Sequence, residues 1–423
     1  MEKNVKSNAK RTAIKISLLA TVSLLLLIPL AMIEGVIEDR EETKNAVIEE
    51  VANSYAMQQF VSAPLLTSFV VEEKLVDKKT DASGKQKYLM NYDKECSQVD
   101  YKADVVTDML HRSVYDVIVY NSHIKIMGGF MITDKEMRAR NIDFSFKVSD
   151  PKGFSNPSQL TFGGQTFNLS RRSDYFIAEV TLPASAKVGE MIDFAFSFDL
   201  KGTESLFFYP SGDGNTTLSI NSSHPHPSFQ GTLLPDHREV KNDGFVATWI
   251  VSNFNSFSHD NMGVKFVDPA NPYQQSMRSA KYGMLIIVLV FVAGLFVEFL
   301  TRKEICTIQY AVIGLSLVLF YSLLVAFSEF IAFGIAYVAA ASMTTGALIF
   351  YFRAILKNRS AYMLGAFVAL VYAMNYMLLQ METYALLAGS LVLFLLLCVV
   401  MFLTANINNK KELGKMNNYE TIE

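Results

Sequence analysis

The chain contains 423 residues, of which 51% are hydrophobic and only 19% are charged. A composition this apolar excludes a disordered protein, because disordered chains have too few apolar residues to form a core. It also excludes an ordinary soluble protein, because the apolar residues are gathered in long uninterrupted runs.

Charge is distributed unevenly along the chain. Residues 1–37 carry five Lys or Arg and two acidic residues, a net charge of +3. Residues 38–280 carry 24 basic and 32 acidic residues, net −8, and residues 281–423 carry nine and seven, net +2. The acidic middle region has no basic stripe, so we expect no nucleic acid among its partners.

Six apolar runs are long enough to cross a membrane as helices, for which about 20 residues are needed. The first, residues 16–33, follows five basic residues, as in signal peptides and membrane anchors. Because this run is long and no small-residue cleavage site precedes Glu34, we expect an anchor that is not cleaved. The other five runs predict a transmembrane bundle over residues 282–403, with runs at 282–300, 305–328, 330–352, 360–381 and 383–403.

The basic residues predict the orientation of these helices, because cytoplasmic loops are enriched in Lys and Arg. Residues 1–15 carry five of them and are expected in the cytoplasm. If the chain crosses at every run, the two short outer turns contain Glu329 and Glu382 and no basic residue. The later inner segments are basic, with Arg302, Lys303, Arg353, Lys357, Arg359, Lys410, Lys411 and Lys415. We therefore predict a polytopic α-helical membrane protein with six transmembrane helices, a cytoplasmic tail at 404–423, and residues 34–281 outside the cytoplasm.

The external region is predicted to begin with an amphipathic helix over residues 34–59 and to continue as β-strands. Near the end of that helix, one face collects the apolar residues Val47, Ile48, Val51 and Tyr55 at helical spacing. Farther along, apolar and polar residues alternate over 142–148 and 192–200, as in strands with one buried face. Glycine-rich turns separate such segments, which favours a β-rich, sandwich-like domain of antiparallel strands.

The most conspicuous local motif is His-Pro-His-Pro at residues 224–227. Two histidines one residue apart in an extended segment lie on the same face, which can suit a metal ion, and His237 and His259 could add ligands. However, neither an acidic residue nor a cysteine stands beside them at a recognisable ligand spacing. A rigid turn is the favoured interpretation, since each histidine precedes a proline that imposes extended backbone. We expect no metal and no cofactor.

Glu298 lies inside the second apolar run, where an ionisable residue is a candidate functional group. Arg302 follows four residues later, so an ion pair at the membrane surface is an equally good interpretation. For Glu329, at the outer surface, capping is favoured over proton relay. The runs lack the paired, Gly- or Pro-broken segments of many transporters. The motifs of phosphate-binding loops, serine hydrolases and zinc peptidases are also absent from the sequence, so we expect no enzyme and no catalytic residue.

Two blocks of residues resemble the CreD family of inner-membrane proteins. The first has the pattern Pro-His-Pro-Ser-Phe-x-Gly, Leu-Pro, Arg-Glu-Val, Gly-Phe and Trp, and it contains Pro225, His226, Pro227, Ser228, Phe229, Arg238, Glu239 and Trp249. The second includes Tyr273, Glu298, Gln309, Tyr310, Ser328 and Glu329. The family usually has Trp where this chain has His224, so the pair of histidines is particular to this chain. The first eight residues, with Glu298 and Glu329, are our candidate functional or structural residues.

The resemblance implies a multi-pass protein of the bacterial inner membrane, with residues 34–281 in the periplasm. It also implies a link to cell-envelope integrity, to colicin tolerance and to the response to β-lactams. We therefore expect a non-enzymatic envelope integrity protein that acts through its periplasmic domain. Its expected partners are the lipid bilayer and another envelope protein or component. The alternative is a transporter or lipid-handling protein that uses the bundle at 282–403, an interpretation motivated by Glu298.

Overall fold

A computed structural model describes residues 2–75, 85–254, 260–268, 271–301 and 303–380, together with the single positions 390, 394, 398 and 401. Most of the sixth predicted run, 383–403, lies outside the described residues, as do the tail at 404–423, His259, Arg302 and Glu382. The chain forms two compact units. The helical unit comprises Met1–Glu42 and Ala270–Glu423, and the β-rich unit comprises Thr43–Pro269.

The chain begins with two helices, α1 (Glu2–Leu25) and α2 (Leu27–Ser54). Pro29 explains the break between them, because it has no N–H to donate to the carbonyl of Leu25 and its ring crowds the preceding turn. α2 ends at Ser54, before the predicted end at residue 59, because Gln59–Val61 pairs as a strand.

Within the described residues, the β-rich unit contains eighteen strands and one short α-helix, α3 (Asp134–Arg138), with a 3-10 turn at Pro151–Gly153. The strands are β1 (Gln59–Val61), β2 (Leu65–Leu75), β3 (Lys85–Glu95), β4 (Gln98–Arg112), β5 (Tyr115–Met131), β6 (Asn141–Lys147), β7 (Phe154–Ser155), β8 (Leu160–Phe162), β9 (Gln165–Phe167), β10 (Ser170–Arg172), β11 (Tyr175–Val180), β12 (Met191–Thr203), β13 (Ser205–Phe208), β14 (Asn215–Ser222), β15 (Pro227–Gly231), β16 (His237–Lys241), β17 (Gly244–Val251) and β18 (Met262–Phe266).

These strands form three sheets, with the orders β1-β13-β18-β15, β10-β11-β6-β2-β3 and β16-β17-β14-β4-β5-β12-β8-β9; β7 also pairs with β12. Most neighbours are antiparallel, as predicted for strands joined by short turns. Two pairs are parallel, β1 with β13 and β4 with β14, and the purely antiparallel prediction is wrong at these places. Parallel neighbours need a long crossover, and residues 113–214 supply one between β4 and β14.

The predicted alternation of apolar and polar residues agrees with the burial of the central strands. On β12, Phe194, Phe196 and Phe198 are buried, and the residues between them are more exposed. On β6, Phe144 and Phe146 are buried in the same core, and the rings of Phe146 and Phe196 lie 4.7 Å apart. Burying one such side chain contributes about 1.5–3 kcal/mol. This aromatic core, to which all three sheets contribute, stabilises the β-rich unit.

The apolar face predicted near the end of α2 packs against β5. The contact joins two groups of side chains: Val47, Ile48, Val51 and Tyr55 on the helix, and Val117 and Val119 on the strand. This confirms the apolar face and explains its helical spacing, because only one side of the helix meets the sheet.

The helical unit continues with α4 (Pro272–Lys281), α5 (Gly283–Thr301), α6 (Thr307–Ser328), α7 (Phe333–Leu356) and α8 (Ser360–Gln380). Among the described residues, four helices are long and apolar enough to cross a membrane: Ile14–Ser54, α6, α7 and α8. The pair α4 and α5, bent by 44°, meets the same criterion when taken together, which raises the number to five. The structure thus has several candidate spans and a large β-rich unit, and the sixth span stays a prediction.

Candidate functional site

Glu298, near the end of α5, accepts hydrogen bonds from Lys15 of α1. Lys15 Nζ lies 2.8 Å from Glu298 Oε1 and 2.7 Å from Oε2. Glu298 Oε1 also accepts from the backbone N–H of Ile305 at 2.6 Å and from the Tyr310 hydroxyl at 3.3 Å. The side chain of Glu298 is 10% exposed and that of Lys15 is 24% exposed. The cation and the further donors replace the hydration that this side chain loses on burial.

This cluster connects three helices of the helical unit. Lys15 belongs to α1, Glu298 to α5 and Tyr310 to the first turn of α6. The partner predicted from local spacing was Arg302, which lies outside the described residues, whereas Lys15 is 283 positions away in sequence. Sequence analysis missed Lys15. One signal in the sequence could have indicated this pair: Lys15 and Glu298 both lie at the predicted cytoplasmic end of their apolar runs, where opposite charges are expected to pair.

Glu329 lies at the other end of α6, where it occupies the C-cap position. Its Oε1 accepts from the Tyr273 hydroxyl of α4 at 3.4 Å and lies 3.5 Å from Nε of Arg40 on α2. The Glu329 side chain is only 11% exposed, and that of Arg40 is 50% exposed. Glu329 therefore joins α2, α4 and α6 at the C-terminal end of α6, and Glu298 of α5 joins α1, α5 and α6 near the N-terminal end of α6. Neither Arg40 nor its pairing with Glu329 was predicted.

A third polar contact lies in the buried interior of the helical unit. Asn375 of α8 donates through Nδ2 to Ser279 Oγ at 3.0 Å and to the Tyr337 hydroxyl at 3.1 Å. Tyr337 in turn donates to the carbonyl of Tyr372 at 2.9 Å. These bonds link α4, α7 and α8, and they are the kind of interhelical polar contact that supplies specificity where neighbouring surfaces are all apolar.

In the β-rich unit, the Pro-His-Pro motif leads into β15, an edge strand of the four-stranded sheet. Pro227 begins this strand, and Pro225 and His226 precede it. His224 is buried, with Nε2 at 3.1 Å from the carbonyl of Val267. Burial lowers the pKa of His224 below its usual range, so the neutral imidazole is favoured. The motif therefore acts here as a rigid entry to a strand, with His224 buried before it and its own His226 exposed.

Phe229, Arg238 and Trp249 meet around one aromatic cluster. The Phe229 ring packs edge to face on Phe245 at 5.5 Å and on Trp249 at 5.9 Å, and the Arg238 guanidinium lies 6.0 Å from the Phe229 ring. Trp249 is fully buried, and its Nε1 donates to the carbonyl of Leu233 at 3.1 Å. The cluster connects β15 of the four-stranded sheet with β17 of the nine-stranded sheet, so Phe229 and Trp249 have packing roles. Arg238 lies on the exposed strand β16, and its side chain approaches the cluster at the Phe229 ring.

Ser228 and Glu239 take no part in the core of this cluster. Ser228 accepts a hydrogen bond from the Gln230 side chain at 3.2 Å. Glu239 lies on the exposed strand β16, and its carboxylate is 2.8 Å from Lys241 Nζ. Both residues remain candidates for surface contacts only.

The described part of the β-rich unit contains no cluster of side chains that could hold a metal ion. No group of three or more His, Cys, Asp or Glu side chains that could hold a metal ion occurs among the described residues, which do not include His259. Burial raises the pKa of the Cys96 thiol to about 12, so it stays protonated at neutral pH and is not activated as a nucleophile.

The similarity of this chain to solved structures is weak. An M1 zinc metallopeptidase from Deinococcus radiodurans is 8% identical, with 40% of this chain and 41% of that chain covered and a TM-score of 0.23. A nutrient-binding protein, described in its name as putative, from Legionella pneumophila subsp. pneumophila str. Philadelphia 1 is also 8% identical, with 54% and 84% covered and a TM-score of 0.29. TM-scores this low carry no argument about fold or activity.

Sequence comparison, in contrast, covers nearly the whole chain. The family described as inner membrane protein CreD matches residues 11–410. The inner membrane protein CreD of Escherichia coli (strain K12) is 29% identical over 417 residues, which is 91% of this chain and 91% of that relative. The resemblance that was based on the Pro-His-Pro and Glu298 blocks is thus confirmed, and the chain belongs to the CreD family of inner-membrane proteins.

Proposed function

We propose that this protein maintains the integrity of the bacterial cell envelope by non-covalent contacts of its β-rich unit on the periplasmic side of the inner membrane. The observation that carries the proposal is the size of that unit, Thr43–Pro269, placed in the chain between an apolar helix and a set of apolar helices. A unit tethered to the membrane at both of its ends is suited to holding a partner close to the bilayer. The partner class is another envelope protein or component.

The topology in this proposal is six transmembrane helices with both termini in the cytoplasm. Its support is the positive-inside pattern: five basic residues precede the first apolar run, and Arg353, Lys357 and Arg359 stand between the fourth and fifth. Fusions of an enzyme that is active only outside the cytoplasm test it. Activity is expected when the fusion point is residue 150 and not when it is residue 358 or 423. Activity at 358 would contradict the orientation.

The proposal includes no catalytic step. Two candidate residues of the β-rich unit are engaged in packing: Trp249 is buried with its indole N–H bonded, and the Phe229 ring packs on it. Glu298, which motivated the transporter alternative, is held by Lys15 and by further donors. A carboxylate held in this way is a connection between helices, so the alternative is not favoured.

Uptake of a membrane-impermeant dye tests the proposed function. We expect uptake to rise in a strain that lacks the gene and to return to normal when the full-length gene is restored. Restoration with Phe229→Ala is expected to fail, because Phe229 packs on Trp249 and Phe245. Phe254→Ala is the matched control, since Phe254 is 90% exposed.

Two outcomes would contradict the proposal. Unchanged dye uptake on deletion would exclude a role in the barrier. Full restoration by a fragment that lacks the β-rich unit, with that fragment shown to insert, would exclude the β-rich unit as the acting part.

A further inference from the structure

A cleft of about 200 Å³ opens between α2 and α6 in the helical unit. Each helix contributes side chains that are about one turn apart and therefore share a face. The lining includes Ile33, Val36 and Arg40 on α2, and Val325, Ala326 and Glu329 on α6. The cleft thus has an apolar part along the two helices and a charged end formed by Arg40 and Glu329.

The packing of the two helices explains why space remains there. Gly314 of α6 lies so close to Leu26 that a Cβ at position 314 would collide with the leucine side chain. From this contact both helices run toward Arg40 and Glu329, whose Nε and Oε1 atoms are 3.5 Å apart. Between these two contacts α6 presents the small side chain of Ala326, which leaves the groove unfilled.

The cleft opens at the outer surface of the helical unit. Val36 is 51% exposed, and Ala326 is exposed as well, although both belong to helices apolar enough to cross a membrane. In an inner-membrane protein such exposed apolar positions face lipid chains. Arg40 lies beyond residue 33, where the first apolar run ends, and Glu329 follows the third run, so both are at the depth of lipid headgroups.

We propose that this cleft binds one molecule of phosphatidylethanolamine, a phospholipid whose headgroup carries a phosphate and a protonated amine. One acyl chain lies along Ile33, Val36 and Ala326. The half-exposed guanidinium of Arg40 donates to the phosphate, a pairing that arginine forms with well-matched geometry. The lipid occupies the space between α2 and α6 and stays bound there. Its binding does not depend on the proposed envelope function.

Charge selects this headgroup over an anionic one. Arg40 is surrounded in sequence by Glu38, Asp39, Glu41 and Glu42, and Glu329 faces the same cleft. An anionic headgroup would bring uncompensated negative charge into this acidic segment. The amine of phosphatidylethanolamine instead places a positive charge beside the carboxylates, which is favourable electrostatic complementarity.

Native mass spectrometry of the purified full-length protein in detergent tests the proposal. The protein is titrated with phosphatidylethanolamine or with phosphatidylglycerol that carries the same acyl chains. The wild type is expected to bind one molecule of phosphatidylethanolamine about fivefold more tightly than phosphatidylglycerol, because of the surrounding carboxylates. Arg40→Gln is expected to weaken that binding about tenfold by removing a charge-assisted hydrogen bond.

Ala326→Phe fills the groove and is expected to abolish the bound molecule while leaving the charged end intact. Matched controls are Ala347→Phe and Arg353→Gln on α7, because both residues are exposed in the helical unit away from the cleft. Both controls are expected to bind like the wild type. Equal binding by Ala326→Phe and Ala347→Phe would overturn the proposal.

A second measurement needs no variant and therefore does not depend on folding of a mutant. A phosphatidylethanolamine with a photoreactive acyl chain is irradiated with the wild-type protein, and the labelled peptides are identified. Labels are expected within residues 33–40 and 322–329. Labels spread evenly over all exposed apolar positions, or preferential binding of phosphatidylglycerol, would overturn the assignment.

Discussion

The helical and β-rich units place their polar pairs differently. In the β-rich unit most ion pairs lie at the surface: the side chains of Arg112 and Glu50 are 62% and 57% exposed. The pair of Lys94 and Glu136, with exposures of 20% and 2%, is an exception. In the helical unit the pair of Lys15 and Glu298 is mostly shielded, with exposures of 24% and 10%. Exposed pairs typically contribute at most about 1 kcal/mol, whereas disrupting a buried pair leaves an uncompensated charge. We infer that aromatic packing stabilises the β-rich unit and that polar contacts specify how the helices associate.

The largest effect is expected from Trp249→Ala in the β-rich unit. It removes a fully buried side chain and leaves the carbonyl of Leu233 without its indole donor. A loss of about 3–5 kcal/mol in the free energy of unfolding is expected for such a truncation. Denaturant unfolding of the purified full-length protein measures this loss. The signal is far-ultraviolet circular dichroism, which reports on the backbone and does not require the removed tryptophan. Phe254→Ala is the control, and an equal loss in both variants would contradict the assigned packing.

The next largest effect is expected in the helical unit, from Lys15→Met. It leaves the Glu298 carboxylate without its cation, which costs about 3 kcal/mol when the pair is buried. Thermal unfolding in detergent measures the loss. The double variant with Glu298→Gln should recover part of it, because the uncompensated charge is gone. Strictly additive losses would show that the two side chains do not interact.

A much smaller effect is expected from Arg112→Gln, which disrupts an exposed pair of the β-rich unit. The Arg112 Nη2 atom is 2.6 Å from Glu50 Oε1, but both side chains are solvated. A loss below about 1 kcal/mol is expected, and it should vanish at high salt because the charges are screened. A loss as large as that of Lys15→Met would remove the distinction between the two units.

The smallest effect is expected from the titration of His224. Burial lowers the pKa of the folded imidazole, so the unfolded chain binds the proton more tightly. The stability that this histidine contributes is full above its unfolded pKa of about 6.5 and declines as pH falls below that value. His224→Phe should flatten the dependence of unfolding free energy on pH between neutral and mildly acidic solution. An unchanged profile would show that His224 is not the group that titrates.

Much of the architecture follows from local patterns. The alternation at 192–200 predicted which side chains of β12 are buried, and the spacing of Val47, Val51 and Tyr55 predicted the apolar face of α2. These patterns are reliable because the geometry of a strand or a helix determines which neighbouring side chains share a face. The family motifs likewise indicated the CreD family before any comparison, and the whole-chain match confirms that assignment.

What the sequence by itself determined is therefore the membrane class, the β-rich character of the unit between the first and second apolar segments, and the family. The tertiary structure alone decided the partners: Lys15 for Glu298, Arg40 for Glu329, and β4 as the parallel neighbour of β14. Such contacts join positions that are far apart in the chain, and many pairings are compatible with the same local periodicity. The path of the backbone selects one of these pairings. Each buried charge needs a partner, and the packing of the helices determines which side chain lies close enough to be that partner.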